Sequence, residues 1–179
     1  MQTSTALNDT TQKVDVSQMS GKYLTFWTDN QLFGVPISDV VQIIGIQEIT
    51  SIPEFPDYAK GVIDLRGSII PVIDVRIRFG KKEAEYDERT CIIVTSIENS
   101  YMGFIVDAVD EVTNVDDDAI SPPPRVSSQD YTNAYLIGIC KVENRVVLLL
   151  DTGKILTENE FEQVSHQATT AASDLINKQ

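Results

Sequence analysis

The chain has 179 residues, of which 42% are apolar and 23% are charged, and its formal net charge is −13. These contents are typical of a soluble globular protein that forms one domain or two small intertwined ones. The negative charge argues against binding to nucleic acid, whose phosphates attract clustered lysine and arginine, and against docking on anionic lipid.

The sequence lacks the usual signals for secretion and membrane insertion. Its N-terminus does not show the charged and then apolar pattern of a signal peptide, and no apolar run reaches the roughly 18 residues of a membrane span. Cys91 and Cys140 lie in apolar runs without CxxC spacing, so we expect two buried free thiols. We therefore expect a cytoplasmic protein that does not insert directly into the membrane.

The first elements lead up to one long hairpin motif. Residues 1–20 are rich in Thr, Gln, Ser and Asp, which predicts a disordered leader, and strand-like runs follow at 23–27 and 32–37. Residues 61–74 contain two β-branched apolar runs joined at Arg66-Gly67, which predicts a β-hairpin with Arg66 at its tip. Asp74 can cap a short helix at 75–79.

This hairpin has a copy further along the chain, at residues 138–151. Gly61 and Gly138 are 77 residues apart, and so are Asp74 and Asp151. The turn pair Arg66-Gly67 corresponds to Glu143-Asn144, and asparagine is the residue that best replaces glycine at positive φ. The match is therefore one of turn chemistry as well as of sequence.

The duplication also covers the strands before each hairpin. Gly34 and Gly103 are 69 residues apart, so the second copy has about eight extra residues, which we place in the loop at 125–133. Short hairpins without intervening helices predict two small antiparallel barrels, at about 21–82 and 88–156. Together they form one domain at 21–156.

Residues 157–179 are predicted to form a C-terminal helix and tail. Thr157 and Glu160 have the spacing of a capping box at the start of the helix. We expect the first half of the helix to dock on a barrel, with a partner-binding helix as the alternative. The apolar positions that share one helix face are Phe161, Val164, Ala168, Ala171 and Leu175.

Reactive groups are sparse in the sequence. No phosphate-binding glycine motif is present, and the acidic run at 116–118 lacks the glycine of a calcium loop, so we expect neither a cofactor nor a metal. His166 is the only histidine. Asp64 and Asp74 leave one catalytic alternative open, a hydrolase with a pair of carboxylates, although capping is the expected role of Asp74.

Comparison of the two copies indicates which residues the fold alone does not require. At the hairpin tip one copy has Arg66 and the other has Glu143, so Arg66 is a candidate for binding a carboxylate of a partner. Val41 and Ile44 are apolar where the second copy is polar. Either a chain terminus covers this extra apolar surface, or it is a docking patch.

The sequence resembles the CheW family, the coupling proteins of bacterial chemotaxis, from about residue 23 to residue 156. The resemblance implies two intertwined five-stranded SH3-like barrels, a mainly β fold to which the C-terminal helix is added. The motifs that carry it are Phe33-Gly34-Val35, Val40-Val-Gln-Ile43, Lys60-Gly61-Val62, Asp64-Leu-Arg-Gly67, Pro71-Val-Ile-Asp74 and Gly103-Phe-Ile-Val-Asp107.

The resemblance implies a non-catalytic adaptor of signalling arrays. Its implied partners are the regulatory domain of the histidine kinase CheA, the cytoplasmic tips of methyl-accepting chemotaxis receptors, and further CheW copies in the array. In the family the receptor tip lies in an apolar groove between the barrels. A scaffold in a non-motility chemosensory pathway is an alternative of the same kind, whereas an SH3-like module for proline-rich peptides lacks the clustered aromatic residues it would need.

The predicted partner-binding surface has ten positions. The family usually has Glu at the position of Gln42, so this chain lacks a charge there. The predicted residues are Val40, Val41, Gln42, Ile43, Ile44, Gly61, Asp64, Arg66, Gly103 and Val112.

Overall fold

The computed structural model describes residues 21–123 and 134–177, which form ten strands and two helices. The predicted leader at 1–20 and the predicted insertion at 125–133 lie outside these residues. The helices are α1 (Val75–Arg78) and α2 (Glu158–Asn177). The strands are β1 (Lys22–Thr28), β2 (Gln31–Pro36), β3 (Val40–Gly45), β4 (Ala59–Leu65), β5 (Ser68–Asp74), β6 (Cys91–Ile97), β7 (Ser100–Val106), β8 (Ala108–Asn114), β9 (Leu136–Val142) and β10 (Arg145–Leu150).

The strands form two five-stranded sheets, and each sheet takes strands from both halves of the sequence. The sheet of barrel one has the order β8-β1-β2-β10-β9, and that of barrel two has the order β3-β6-β7-β5-β4. Neither half of the chain thus forms a barrel alone, and the ranges 21–82 and 88–156 describe the sequence repeats rather than the sheets. The intertwined, mainly β fold is confirmed.

Two parallel strand pairs show how the halves exchange. Gly34 of β2 lies opposite Leu149 of β10 in barrel one, and Gly103 of β7 lies opposite Val72 of β5 in barrel two. Both glycines are buried where a side chain would have little room, since a Cβ on Gly103 would lie 2.8 Å from a methyl carbon of Ile92. The repeated glycines therefore allow close strand packing at equivalent places.

Both predicted hairpins form, with the predicted turn residues at their tips. Arg66 and Gly67 have φ values of 52° and 86°, and Glu143 and Asn144 have values of 50° and 65°. Two successive residues with positive φ match the twist of the flanking strands. Asp74 then caps α1, as predicted, since its side chain accepts a hydrogen bond from the N–H of Ile77.

Gly61 occupies a position that requires glycine. Its φ is +146°, and a Cβ there would lie 2.1 Å from the carbonyl oxygen of Thr50. Thr50 and Val62 exchange two backbone hydrogen bonds of 2.9 Å, which hold the 50s segment against β4. The close approach of these two backbones is thus possible only without a side chain at Gly61.

The largest apolar cluster contains residues of both barrels and of α2. Phe26 and Phe33 contribute from barrel one, Ile73 and Phe104 from barrel two, and Val164 from α2. Two smaller clusters fill the interiors of the individual barrels. Because one core joins all three parts, the barrels and the first half of α2 pack as a unit.

Helix α2 begins with the predicted capping box and docks on β5 and β4. The N–H of Glu160 donates to the Thr157 hydroxyl, and the N–H of Thr157 donates to the Glu160 carboxylate at 2.9 Å. Tyr58 and Arg78 also donate to this carboxylate, at 2.8 and 3.0 Å. Burial alone would raise the pKa of Glu160, but these hydrogen bonds and the charge of Arg78 lower it overall.

The described face of α2 agrees with the predicted spacing. Val164 and Ala168 are buried, and Phe161 and Ala171 are half-buried. Within residues 21–123 and 134–177, no helix has both the length and the apolar character needed to cross a membrane.

Candidate partner-binding surface

The outer edge of barrel two is formed by β3, which presents apolar side chains at the surface. Val41 is 52% exposed and Ile43 is 42% exposed. Both lie on the outward side of a strand whose exposure alternates from residue to residue. Strand β3 is hydrogen-bonded in the sheet only to β6 within the described chain, so its other edge faces outward.

A β-bulge shapes this edge at Val41 and Gln42. Val40 is paired with Thr95, and the register then shifts so that Gln42 is paired with Val94 and Ile43 with Ile93. Bulges bend a strand and redirect its side chains, and they are common next to functional sites. Here the bulge brings Val41 to the surface, while Val40 and Gln42 are half-buried.

The predicted exposure of Ile44 is wrong. Ile44 is half-buried and packs against the cluster that fills barrel two. Residues three apart in a strand point to opposite faces, so Val41 and Ile44 cannot both face outward. The exposed apolar pair is Val41 and Ile43.

The hairpin tip between β4 and β5 presents Arg66 to solvent. The N–H of Gly67 donates to the Asp64 carboxylate at 2.8 Å, so Asp64 fixes the turn that carries Arg66. Both Asp64 and Arg66 are exposed, and no ion pair involves Arg66 within the described residues. The guanidinium is therefore held on a rigid turn without a carboxylate partner in the described part of the chain.

Gly61 and Gly103 do not lie on this surface. Both are buried, Gly61 against the Thr50 carbonyl and Gly103 between Ile92 and Val72. Neither residue can present atoms to a partner without a rearrangement of the core. The structure thus corrects the prediction that they contact a partner, and it gives them a role in the fold.

Val112 occupies the matching place on barrel one and is 52% exposed. It is paired with Leu24 in the way that Ile43 is paired with Ile93. The apolar component of the surface is therefore present on both barrels. The charged residues around it differ, because β8 has Asp110 where β3 has Val41.

Sequence reasoning missed the charged contact that closes barrel one. Arg145, the first residue of β10, lies 3.2 Å from the Asp110 carboxylate and 3.1 Å from the Glu111 carboxylate. The signal was available, since a cation at 145 and two acids on β8 replace three uncharged residues of the first copy. Only the sheet topology shows that they meet.

The proposed pair of catalytic carboxylates is contradicted by the structure. Asp64 lies at the exposed tip of the hairpin, and Asp74 is buried at its base, where Tyr86 donates to it at 2.8 Å. They are separated by about five residue steps along β5, roughly 16 Å. His166 is exposed on α2, far along the chain from both.

Other polar groups at the junction of the barrels pair with each other. Arg76 makes two hydrogen bonds to the Asp107 carboxylate, at 2.8 and 2.6 Å, and this pairing raises the pKa of the guanidinium. A cavity of about 430 Å³ lies beside this pair. Within the described chain no cluster of His, Cys, Asp or Glu has the arrangement of a metal site. Cys140 is a buried free thiol, as predicted, and Cys91 is half-buried.

Comparison with known proteins places this architecture among chemotaxis proteins. The sequence profile of the CheW-like domain matches residues 22–160. The chemotaxis protein CheW of Klebsiella aerogenes is 34% identical over 158 residues, which cover 86% of this chain and 95% of that protein. The chemotaxis protein CheW of Bacillus subtilis is 31% identical over 141 residues, covering 79% and 90%.

A solved structure shows the same likeness in three dimensions. The crystal structure of the scaffolding protein TtCheW from Thermoanaerobacter tengcongensis superposes with a TM-score of 0.71 at 36% identity, covering 78% of this chain and 94% of that one. The profile, the relatives and the fold agree over the same region. The chain therefore belongs to the CheW-like domain family of chemotaxis proteins.

Proposed function

We propose that this chain is a non-catalytic adaptor that couples methyl-accepting chemotaxis receptors to the histidine kinase CheA in signalling arrays. The partners are the receptor cytoplasmic tips, the regulatory domain of the kinase, and other copies of the adaptor. The protein would work in the cytoplasm, at membrane receptor arrays to which it is recruited. The observation that carries the proposal is the exposed apolar and cationic surface of barrel two, formed by Val41, Ile43 and Arg66.

This surface has the chemistry of a protein-binding site. Exposed Val41 and Ile43 offer apolar area, and Arg66 is a planar donor that suits a carboxylate of the partner. We assign the receptor tip to this surface, with Val40, Gln42 and Val112 at its margins. A binding site of this kind, rather than a catalytic pocket, is what an adaptor requires.

An adaptor acts by bringing its partners close together. When receptor and kinase are held on one rigid body, each meets the other at an effective concentration in the millimolar range, without new chemistry. The common core of the barrels and α2 provides such a rigid body. The spacing of the bound partners would then determine whether a change in the receptor reaches the kinase.

The test is a pull-down of receptor fragment and kinase regulatory domain with the unmodified chain, with Arg66→Glu and with Glu143→Arg. The two substitutions reverse charge at equivalent turn positions, so each controls for the effect of the other on folding. We expect Arg66→Glu to weaken receptor binding about tenfold or more and Glu143→Arg to leave it unchanged. Equal binding by all three folded proteins would contradict the assigned surface.

A further inference from the structure

The two barrels carry the same bulge at the same place in their edge strands. In β8 residues 110–111 lie opposite Thr25, and in β3 residues 41–42 lie opposite Val94. These positions are related by the offset of 69 that relates the two copies. The fold therefore presents one surface twice, and the differences between the two versions show what each is suited for.

In barrel one, polar groups close the bulge from both sides. The hydroxyl of Thr25 accepts from the N–H of Glu111 at 3.1 Å and lies within 3.1 Å of the Asp110 carboxylate. Arg145 holds the carboxylates of Asp110 and Glu111 from the opposite side. Strands β10 and β8 are not neighbours in the sheet, so this contact joins two separate strands. We name the four residues Thr25, Asp110, Glu111 and Arg145 the bulge clamp.

In barrel two the bulge has no such clamp. The position of Thr25 is taken by Val94, which is buried and has no polar side-chain atom. The position of Arg145 is taken by Ser68, which is exposed. Within the described residues no ion pair involves β3. The edge beside Val41 and Ile43 is therefore left open.

We infer that the bulge clamp restricts receptor docking to barrel two. The inference rests on the proposed function. An apolar residue is exposed at the same place on both barrels, Ile43 on one and Val112 on the other, so apolar area alone does not choose between them. A partner that offers apolar groups and a carboxylate meets Arg66 on barrel two. On barrel one it meets Glu143 and a bulge already occupied by Arg145, so like charges repel it.

The experiment transplants the open surface of barrel two onto barrel one. The background is Arg66→Glu, in which the natural surface no longer binds. The transplant replaces four exposed or half-buried residues by their counterparts from the first copy. The four changes are Asp110→Val, Glu111→Gln, Glu143→Arg and Arg145→Ser.

The measurement is the affinity for a soluble receptor-tip fragment, by titration calorimetry. We expect Arg66→Glu to lose about tenfold or more in affinity and the transplant to recover most of that loss. The control is Glu143→Arg alone in the same background, which restores the tip charge but keeps the clamp, and it should recover nothing. A folded transplant that recovers no affinity would overturn the inference, and so would full recovery by the control.

A reverse experiment covers the case in which the transplant does not fold. Val41→Asp with Gln42→Glu adds acids to barrel two, and Ser68→Arg then completes a clamp beside them. If only charge matters, Ser68→Arg restores binding by neutralising the acids, which would overturn the inference. The clamp predicts that binding stays at least about tenfold weaker after Ser68→Arg.

The outcomes also separate this inference from the proposed function. If the unmodified chain does not bind the receptor fragment or the kinase regulatory domain, the proposed function fails and the inference fails with it. If the unmodified chain binds the receptor fragment and Arg66→Glu weakens it, the function stands. The transplant and the reverse experiment then test the clamp alone.

Discussion

Replacement of Gly61 by alanine tests whether this residue acts through the fold or through a partner. The new Cβ would lie 2.1 Å from the Thr50 carbonyl oxygen and 2.7 Å from its carbon, so the 50s segment has to move. That movement weakens the two hydrogen bonds between Thr50 and Val62, each of which contributes about 1 kcal/mol. The φ of +146° adds strain of about 1–3 kcal/mol for a residue with a side chain.

Together these effects lower the free energy of unfolding by about 4 kcal/mol, which corresponds to a fall in Tm of roughly 8–16 °C for a domain of this size. The assay is urea and thermal unfolding followed by circular dichroism. Gly67→Ala is the matched control, since its φ is +86° but nothing lies within 4 Å of the added Cβ, and it should cost only about 1–2 kcal/mol. A Gly61→Ala protein within about 1 kcal/mol of the unmodified chain would refute the reasoning.

Three further substitutions test other contacts. Tyr86→Phe removes the donor to buried Asp74 and should cost about 1–2 kcal/mol of unfolding free energy, whereas Tyr101→Phe, at an exposed position, should cost nothing measurable; equal costs would contradict the assignment. Glu160 has a pKa below its usual value, so its stabilising effect is present above the unfolded-state pKa of about 4.3 and is lost as the pH falls through the folded pKa. Urea midpoints of the unmodified chain should therefore drop more steeply below about pH 4.3 than those of Glu160→Gln, and parallel curves would argue against this. Arg145→Ser breaks a partly exposed clamp and should cost less than about 1 kcal/mol, and a larger cost in urea unfolding would mean that the clamp mainly holds barrel one together.

Much of the local structure could be predicted because it depends on residues close in sequence. The turns at Arg66-Gly67 and Glu143-Asn144 follow from the residues that tolerate positive φ. The caps at Asp74 and Thr157 follow from side chains that reach the first turn of a helix. The 77-residue offset then predicted the second hairpin from the first.

The exchange of strands between the halves does not follow from the hydrophobic pattern. Such a pattern tells which face of a strand is buried but not which strand lies beside it. The pairing of Gly34 with Leu149, and of Gly103 with Val72, became visible only in the sheets. The intertwined arrangement was expected solely from the resemblance to the CheW family.

The candidate surface was predicted in part, and its errors have physical causes. Val41 and Arg66 are exposed as predicted, whereas Ile44 turns inward because it lies three residues from Val41 in a strand. Gly61 and Gly103 matched motifs of the family, but a motif does not distinguish a residue that touches a partner from one that shapes the fold. Their burial separates the two roles.

Cross-linking from two matched positions tests most directly whether barrel two is the docking surface. A photoreactive amino acid is placed at Val41 in one protein and at Asp110 in another, and each is irradiated with the receptor-tip fragment and the kinase regulatory domain. We predict that the protein labelled at Val41 cross-links to the receptor fragment and that the one labelled at Asp110 does not. Cross-linking only from Asp110, or equally from both positions, would contradict the account.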